Sequence, residues 1–558
     1  MRLEYDGTRK VKLHWSLQEL LMTPLTESFW PLQTDGELLE TTCGDVLRAA
    51  AAAEPDRIAL VEGSADPALR RRWTYAELLA DSERTARALL TQFKPGEHIA
   101  VWSGNCPEWI MLQFGIALGG MVIVTVNPAY QRSELKYVLE QSRSVGLFYQ
   151  TSYRGNPMSA SVSAVAGELP ALRECVCLDD FPAFLSAGDA EVPLPAVDPS
   201  DPVMIQYTSG TTGFPKGAHL HHYGITNNSR LTALRRGGAG GTVDISAMPL
   251  FHTGGCVAGV LGTVQTQGTL VLLPEFDPNL FLDLIEQERA EYTLAVPTML
   301  VALLEANAAN PRDLSSMRVV VSGGATVPID LVKRIEADIG VSFAILFGQT
   351  ETSPVITMIK LTDSAADKSA SLGTALPHTE VKIVDPEKGN TLPIGETGEM
   401  CTRGFLVMTG YFENEQATSK TIDAEGWLHT GDLCSMDERG YCYVEGRLKE
   451  MIIRGGENIY PRELEERLFG HPAVAEVAVV GIPDERWGEQ VAAFIRFNDG
   501  THLSAAQLHD YMREHLAPHK TPKLWFQLDS FPLTASGKIQ KFKLAELFAA
   551  GELTPNMD

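Results

Sequence analysis

Between Tyr207 and Gly217 the chain reads Tyr207-Thr208-Ser209-Gly210-Thr211-Thr212-Gly213-Phe214-Pro215-Lys216-Gly217, with three glycines, four Ser or Thr hydroxyls and one lysine. Glycines let the backbone come close to a ligand, so that successive N–H groups can converge on anionic oxygens. The hydroxyls add rotatable donors and Lys216 a compact positive charge. Such a set suits a polyphosphate. The spacing is not that of GxxxxGK[ST] loops, because four residues after Gly213 come Gly217, Ala218 and His219.

Further groups lie downstream. In Phe347-Gly348-Gln349-Thr350-Glu351 an aromatic ring beside a glycine can cover a purine face, Thr350 can bond a phosphate oxygen and Glu351 can hold Mg²⁺ directly or through water. Ser322-Gly323-Gly324-Ala325 ends an apolar strand, the place where open α/β sheets put their ligands. Asp432, in Thr430-Gly431-Asp432, is a carboxylate able to accept two ribose hydroxyls, and Lys538 is presented by Gly537 near the end of the chain. His219, His221 and His222 lack the carboxylate or cysteine company of a metal site. No GxSxG elbow is present.

These groups need elements to position them. From Trp73 the pattern alternates: Thr74-Tyr75-Ala76-Glu77 is a capping box opening a helix to about Leu90, followed by a strand at His98–Val101, a helix from Pro107, a strand at 121–125, a helix at 133–141 and a strand at 146–149. The alternation predicts parallel pairing with helices over the sheet. The apolar run from Trp109 to Val126 is broken by Gln113 and by Gly119-Gly120, and reads as helix, turn and strand rather than a membrane span. Residues 1–50 are weakly patterned and are expected only to dock on the main body. Residues 150–200 read as loop-rich. After the glycine-rich loop 235–241, βα units resume, including a helix near Gly254–Gln267 and one at Pro297–Asn307. Short β-prone runs between turns from Gly395 to Glu445 predict a small antiparallel sheet or distorted barrel. Beyond Lys449, Pro461 opens a helix with Leu464 and Leu468 inward, two strands follow and Ser504 caps another helix, a compact α+β module. The expected fold is thus α/β, with a large N-terminal domain (1–448) of parallel-type sheets plus a small barrel-like subdomain, followed by a smaller mobile C-terminal domain (449–558).

At 558 residues two or more domains are expected, and 44% hydrophobic with 21% charged residues is ordinary for a globular protein. A formal charge of −25 argues against nucleic acid or an anionic membrane as partner, and requires a locally positive site for any anionic substrate. Eight cysteines without a CxxC pair read as reduced thiols. With no secretory signal pattern at Met1–Asp6, the reading is cytoplasmic.

The Tyr-Thr-Ser-Gly-Thr-Thr-Gly-Xaa-Pro-Lys-Gly order resembles, position for position, the phosphate-binding signature of the adenylate-forming superfamily, which includes acyl-CoA synthetases, aryl-CoA ligases, luciferase-like enzymes and peptide-synthetase adenylation domains. The aromatic-Gly-Xaa-Thr-Glu, Thr-Gly-Asp and C-terminal Gly-Lys motifs follow in the same order, and the resemblance runs from about Asp45 to Leu547. It is strongest to medium-chain or fatty acyl-CoA synthetases. It implies that ATP and a carboxylic acid give an acyl-adenylate and pyrophosphate, and that coenzyme A then gives an acyl-CoA and AMP.

By the same resemblance, Thr208, Ser209, Gly210, Thr211, Thr212, Gly213 and Lys216 cradle phosphates. Gly323, Gly324 and Ala325 lie between adenine and acyl group, Phe347, Gly348 and Gln349 line the adenine, Thr350 meets the α-phosphate and Glu351 the metal. Asp432 binds ribose, and Arg447 is a further nucleotide contact. Lys538 is the cation of the adenylation step, Lys449 the hinge, Gly455 and Gly456 part of a pantetheine-lining loop, and Trp487 a platform for the CoA adenine. His252, Thr253, Gly254, Val257 and Thr352 are assigned to the acid pocket. No acid stands in Pro249–Gly255, where amino-acid-activating relatives carry an aspartate, and the apolar or small residues favour an aliphatic medium-chain, branched or bulky acid. Aryl acids and transfer to a carrier-protein pantetheine are the alternatives, and a homodimer is left open.

Overall fold

The computed structural model describes residues 3–5, 11–13, 24–186, 191–208, 215–238, 240–325, 327–455, 457–534 and 537–557. Two α/β layers share one buried helical filling. One sheet has seven strands in the order Gly410–Tyr411, Lys216–His221, Pro202–Thr208, Val122–Val126, His98–Trp102, Gly146–Tyr149 and Glu174–Cys177. Its last five strands pair in parallel and the first two antiparallel. The other has nine strands, parallel through its middle from Ile58–Glu62 to Ser342–Gly348, with antiparallel strands at both edges.

The helix Pro107–Leu118 explains the long apolar run. All of its residues except Glu108 are buried, and it packs with residues of both sheets, Ile99 and Met204 on one side and Leu60 and Leu272 on the other. A helix apolar all round belongs in a core. Its one central amide, Gln113, donates to the Cys256 carbonyl at 3.0 Å. The Thr74 capping box is formed, and Tyr75–Leu90 follows as a helix.

Three local expectations need correction. The weakly patterned N-terminal stretch contains a helix at Cys43–Ala53, its first turn capped by the Thr42 hydroxyl, which accepts from the Asp45 N–H. Five alanines in eleven residues give the helix propensity, and Cys43, Val46, Leu47, Ala50 and Ala51 form its buried face. Residues 150–200 hold the helix Met158–Ala166 and the strand Glu174–Cys177, besides loops. Near Gly254 the helix begins as a wide π-helical turn, Gly254–Leu261, and tightens to α only at Gly262–Gln265. Such widening is often found at functional sites.

Strands Phe29–Trp30, Thr379–Val384, Gly398–Gly404, Leu428–Met436 and Cys442–Arg447 make an open antiparallel sheet of five strands. Of the two expected forms, sheet or barrel, it is the sheet. The C-terminal sheet begins at Ile452–Arg454, five residues after Arg447, and carries the long hairpin Val474–Asp484 and Gly488–Phe497. On the helix Pro461–Phe469, Leu464 and Leu468 are fully buried, each stabilising the module by about 1.5–3 kcal/mol.

Candidate active site

The stretch assigned to phosphates is flanked by two paired strands. Pro202–Thr208 and Lys216–His221 pair antiparallel, with Thr208 opposite Lys216. Ser209, Gly210, Thr211, Thr212 and Gly213 lie outside the described residues. The Lys216 ammonium stands 4.5 Å from the centroid of the Tyr411 ring. Tyr411, on the neighbouring edge strand, donates its hydroxyl to Glu351 Oε1 at 2.6 Å, and the Met408 N–H donates to the Glu351 carbonyl. Gly410-Tyr411 reads as a turn signal in the sequence. In the structure its aromatic ring connects Lys216 to Glu351.

Strands Val319–Gly323 and Ser342–Gly348 run in parallel with Gly323 opposite Leu346, so the Gly-Gly-Ala turn and the Phe347 turn leave the sheet side by side. Only glycine fits at 348, since a Cβ there would lie 2.0 Å from the Pro354 carbonyl oxygen. Gln349 opens the turn Thr350–Thr352. Thr350 and Glu351 are buried, and Phe347 is half-buried. The Thr352 hydroxyl lies 2.9 Å from the Gln349 carbonyl and 3.1 Å from the Pro354 carbonyl and accepts the Gln349 N–H, so it helps hold the turn. Glu351 suits Mg²⁺: it is a hard, buried carboxylate with Oε1 held by Tyr411, which leaves Oε2 as the oxygen to meet the ion or its water.

Asp432 sits opposite Arg447 across two antiparallel strands, with Arg447 Nε 3.0 Å from Asp432 Oδ1. Burial pushes the Asp432 carboxyl up from its ordinary value, while the Arg447 and Lys538 charges oppose that shift. The preceding turn is fixed from beneath: Gly431 N–H donates to Glu399 Oε1 at 3.0 Å, and Glu399 Oε2 is 2.8 Å from His429 Nδ1. Hydrogen bonds to Cys401 and Glu399 push the His429 imidazole up to about 10, so it remains a cation clamping Glu399.

Lys538 reaches this place from the C-terminal module. A Cβ built on Gly324 would lie 3.1 Å from Lys538 Cε and 3.3 Å from its Nζ. Gly324 has φ +75°, a conformation glycine adopts without strain. Burial, then the nearby Arg447 charge, pushes the Lys538 ammonium down to about 8, with Asp432 acting the other way. The His252 imidazole is pushed down to about 3 by burial and then by the Lys538 charge, and so stays neutral. His252 Nδ1 accepts the Gly254 N–H. Thr253 and Val257 are fully buried and Gly254 half-buried along the π-helical turn, and the Thr253 hydroxyl has no hydrogen-bond partner among the described residues.

The Lys538 side chain thus lies on Gly324, with the charges of Arg447 and Asp432 within electrostatic reach. The groups assigned to the thiol substrate lie elsewhere. Gly455 N–H donates to the Trp487 carbonyl at 2.7 Å, and the Arg454 and Arg486 guanidinium carbons stand 5.0 and 4.9 Å from the Trp487 ring centroid, on an exposed part of the C-terminal module. Gly456 lies outside the described residues, and Lys449 is exposed between the two sheets. Ala325 is likewise exposed, next to Gly324.

Residues 47–412 match the family model described as AMP-binding enzyme, and residues 463–538 match that of the AMP-binding enzyme C-terminal domain. The putative acyl-CoA synthetase YngI of Bacillus subtilis is 40% identical over 539 residues, covering 91% of this chain and 97% of its own. The human mitochondrial medium-chain acyl-CoA ligase ACSF2 is 35% identical over 547 residues, 92% of this chain and 88% of its own. Among solved structures, the anthranilate CoA ligase AuaEII in complex with anthranoyl-AMP superposes with a TM-score of 0.85 at 26% identity, over 93% of this chain and 99% of that one.

Proposed function

The chain belongs to the AMP-binding enzyme family and is an AMP-forming acyl-CoA ligase, and we propose that it activates an aliphatic medium-chain, branched or bulky carboxylic acid with the residues gathered around Lys538. ATP enters with its adenine beside Phe347, Gly348 and Gln349 and its ribose on Asp432, while the stretch between Thr208 and Lys216 receives the phosphates. Against a net charge of −25, the local cations Lys216, Arg447 and Lys538 supply the attraction an anionic substrate needs. Mg²⁺ on Glu351 would neutralise phosphate charge when bound.

The acid approaches past His252, whose neutral imidazole adds no competing charge. As its carboxylate oxygen attacks the α-phosphorus, pyrophosphate leaves and negative charge spreads over the phosphate oxygens. An ammonium positioned there stabilises the transition state more than the ground state. The placement of Lys538 against Gly324, within electrostatic reach of Asp432 and Arg447, is the observation that carries this reading. For the second step we assign the hinge to Lys449, with Lys538 withdrawn so that the CoA thiol can attack the adenylate and release AMP. The exposed Trp487 with its two arginines would then meet the CoA nucleotide.

The apolar Val257 and the small Gly254 support an aliphatic acid, as does the name of the ACSF2 relative. The superposition on AuaEII supports an aryl acid as the second reading. The cytoplasm is the compartment this reading assigns, on its eight free cysteines. Pyrophosphate release is the test, across straight-chain, branched and aryl acids, with CoA and a pantetheinylated carrier protein as alternative acceptors. Preference for medium aliphatic acids and free CoA is expected. Preference for an aryl acid or for the carrier protein would replace that part of the reading.

A further inference from the structure

One hydroxyl outside every motif touches the Lys538 turn. Thr298 Oγ1 donates to the carbonyl of Gly537 at 2.8 Å, across 239 residues of sequence. Thr298 is the second residue of the helix Pro297–Ala309, whose entry is fixed to the site: Ala295 N–H donates to the Val321 carbonyl, and the Ala295 carbonyl accepts the Ser322 hydroxyl at 2.8 Å. The strand Val319–Gly323, which leads into Gly324, and the helix that carries Thr298 are therefore joined beside the Lys538 turn.

The Lys538 turn is itself closed by local bonds. Gly537 N–H donates to the Thr534 carbonyl, Lys538 N–H to the Thr534 hydroxyl, and Thr534 N–H to the Lys538 carbonyl. A turn with those bonds can dock as a unit. Among the described residues it meets the large domain where the end of the Lys538 side chain lies on Gly324 and where the Gly537 backbone lies on Val296 and Thr298. A Cβ at Gly537 would stand 3.2 Å from Val296 Cγ2 and 3.5 Å from Thr298 Oγ1. The same helix carries Glu305, 3.6 Å from Arg496 of the C-terminal module, but that pair is partly exposed and adds little.

We infer that Thr298 is a positioning residue for adenylation: its hydroxyl seats the carbonyl preceding Lys538 and so places the ammonium, and it is without a task once Lys538 has withdrawn. This rests on the reading of Lys538 as the cation of the first half-reaction. A helix-start hydroxyl commonly serves its own helix. Here it is given to the other module, in the same arrangement that brings Lys538 to Gly324.

The test measures the half-reactions separately in the full-length protein: pyrophosphate formation from ATP and acid, and acyl-CoA formation from supplied acyl-adenylate and CoA. Thr298→Val removes the hydroxyl and keeps the branched shape. It is expected to slow the first by roughly three- to tenfold, the worth of one hydrogen bond, and to leave the second within about twofold, while Thr298→Ser restores the first. Equal loss of both half-reactions, no loss in either, or no rescue by serine would overturn the assignment. The wild type and Lys538→Ala are run beside it. If Lys538→Ala forms pyrophosphate at the wild-type rate, the underlying reading fails, independently of Thr298.

Discussion

The hydroxyl of Tyr411 donates to Oε1 of Glu351 at 2.6 Å, and the ring that carries it lies against the Lys216 ammonium. A single tyrosine thus orients the carboxylate assigned to the metal and flanks the lysine of the stretch assigned to phosphates. Tyr411→Phe keeps the ring and removes the donor. The account predicts an increased Mg²⁺ requirement and about a tenfold lower kcat/KM for ATP, the order expected for a hydrogen bond to a charged group, with little change in melting temperature. A Mg²⁺ titration of pyrophosphate release checks it.

Gly324 is the floor under Lys538. Alanine there adds a methyl 3.1 Å from Lys538 Cε and places a side chain at φ +75°, where the backbone strain alone is on the order of 1 kcal/mol. Gly324→Ala is predicted to slow adenylation more than thioester formation from supplied acyl-adenylate, measured by the same separated assays.

Lys538 gives a pH dependence with a definite sign. Its folded-state pKa is lowered to about 8 by burial, so the charged form is complete well below pH 8 and is lost as the pH rises through it. In the free enzyme, kcat/KM for ATP should fall on the alkaline side of about pH 8. Bound triphosphate favours the ammonium, so the limb in kcat should lie at higher pH. In Lys538→Arg, which stays charged throughout, the limb should disappear from whatever activity remains. A pH–rate profile of both proteins decides the matter.

Asp432 is buried and paired with Arg447. Asp432→Asn keeps the shape and removes the charge that balances Arg447 and that we assign to the ribose hydroxyls. The predicted outcome is weaker ATP binding by about 1.5–3 kcal/mol, the worth of hydrogen bonds to a charged group, read by calorimetry with ATP.

What the sequence made legible is what local hydrogen bonding and side-chain period determine. The Thr74 capping box, the buried helix from Pro107 and the inward Leu464 and Leu468 depend on neighbours within a few residues. The motif residues Asp432, Glu351, Gly324 and Lys538 could be named from type and order. Their supports could not. Tyr411 meets Glu351 across 60 residues and Thr298 meets Gly537 across 239; the turn signal at Gly410-Tyr411 points to no partner, and Thr298 lies in no motif. Glu399, whose carboxylate holds the turn before Asp432, looks in sequence like any acid in a turn. The π-helical winding at Gly254–Leu261 has the apolar content of an ordinary helix, so only coordinates distinguish it.

The most direct measurement is a comparison of Lys538→Ala with the wild type in the two half-reactions, acyl-adenylate formation from ATP and a carboxylic acid, and acyl-CoA formation from supplied acyl-adenylate. The account predicts that the variant loses the first by at least a hundredfold, the scale for a lost transition-state charge contact, and retains most of the second. Equal impairment of both half-reactions, or an intact first one, would contradict it.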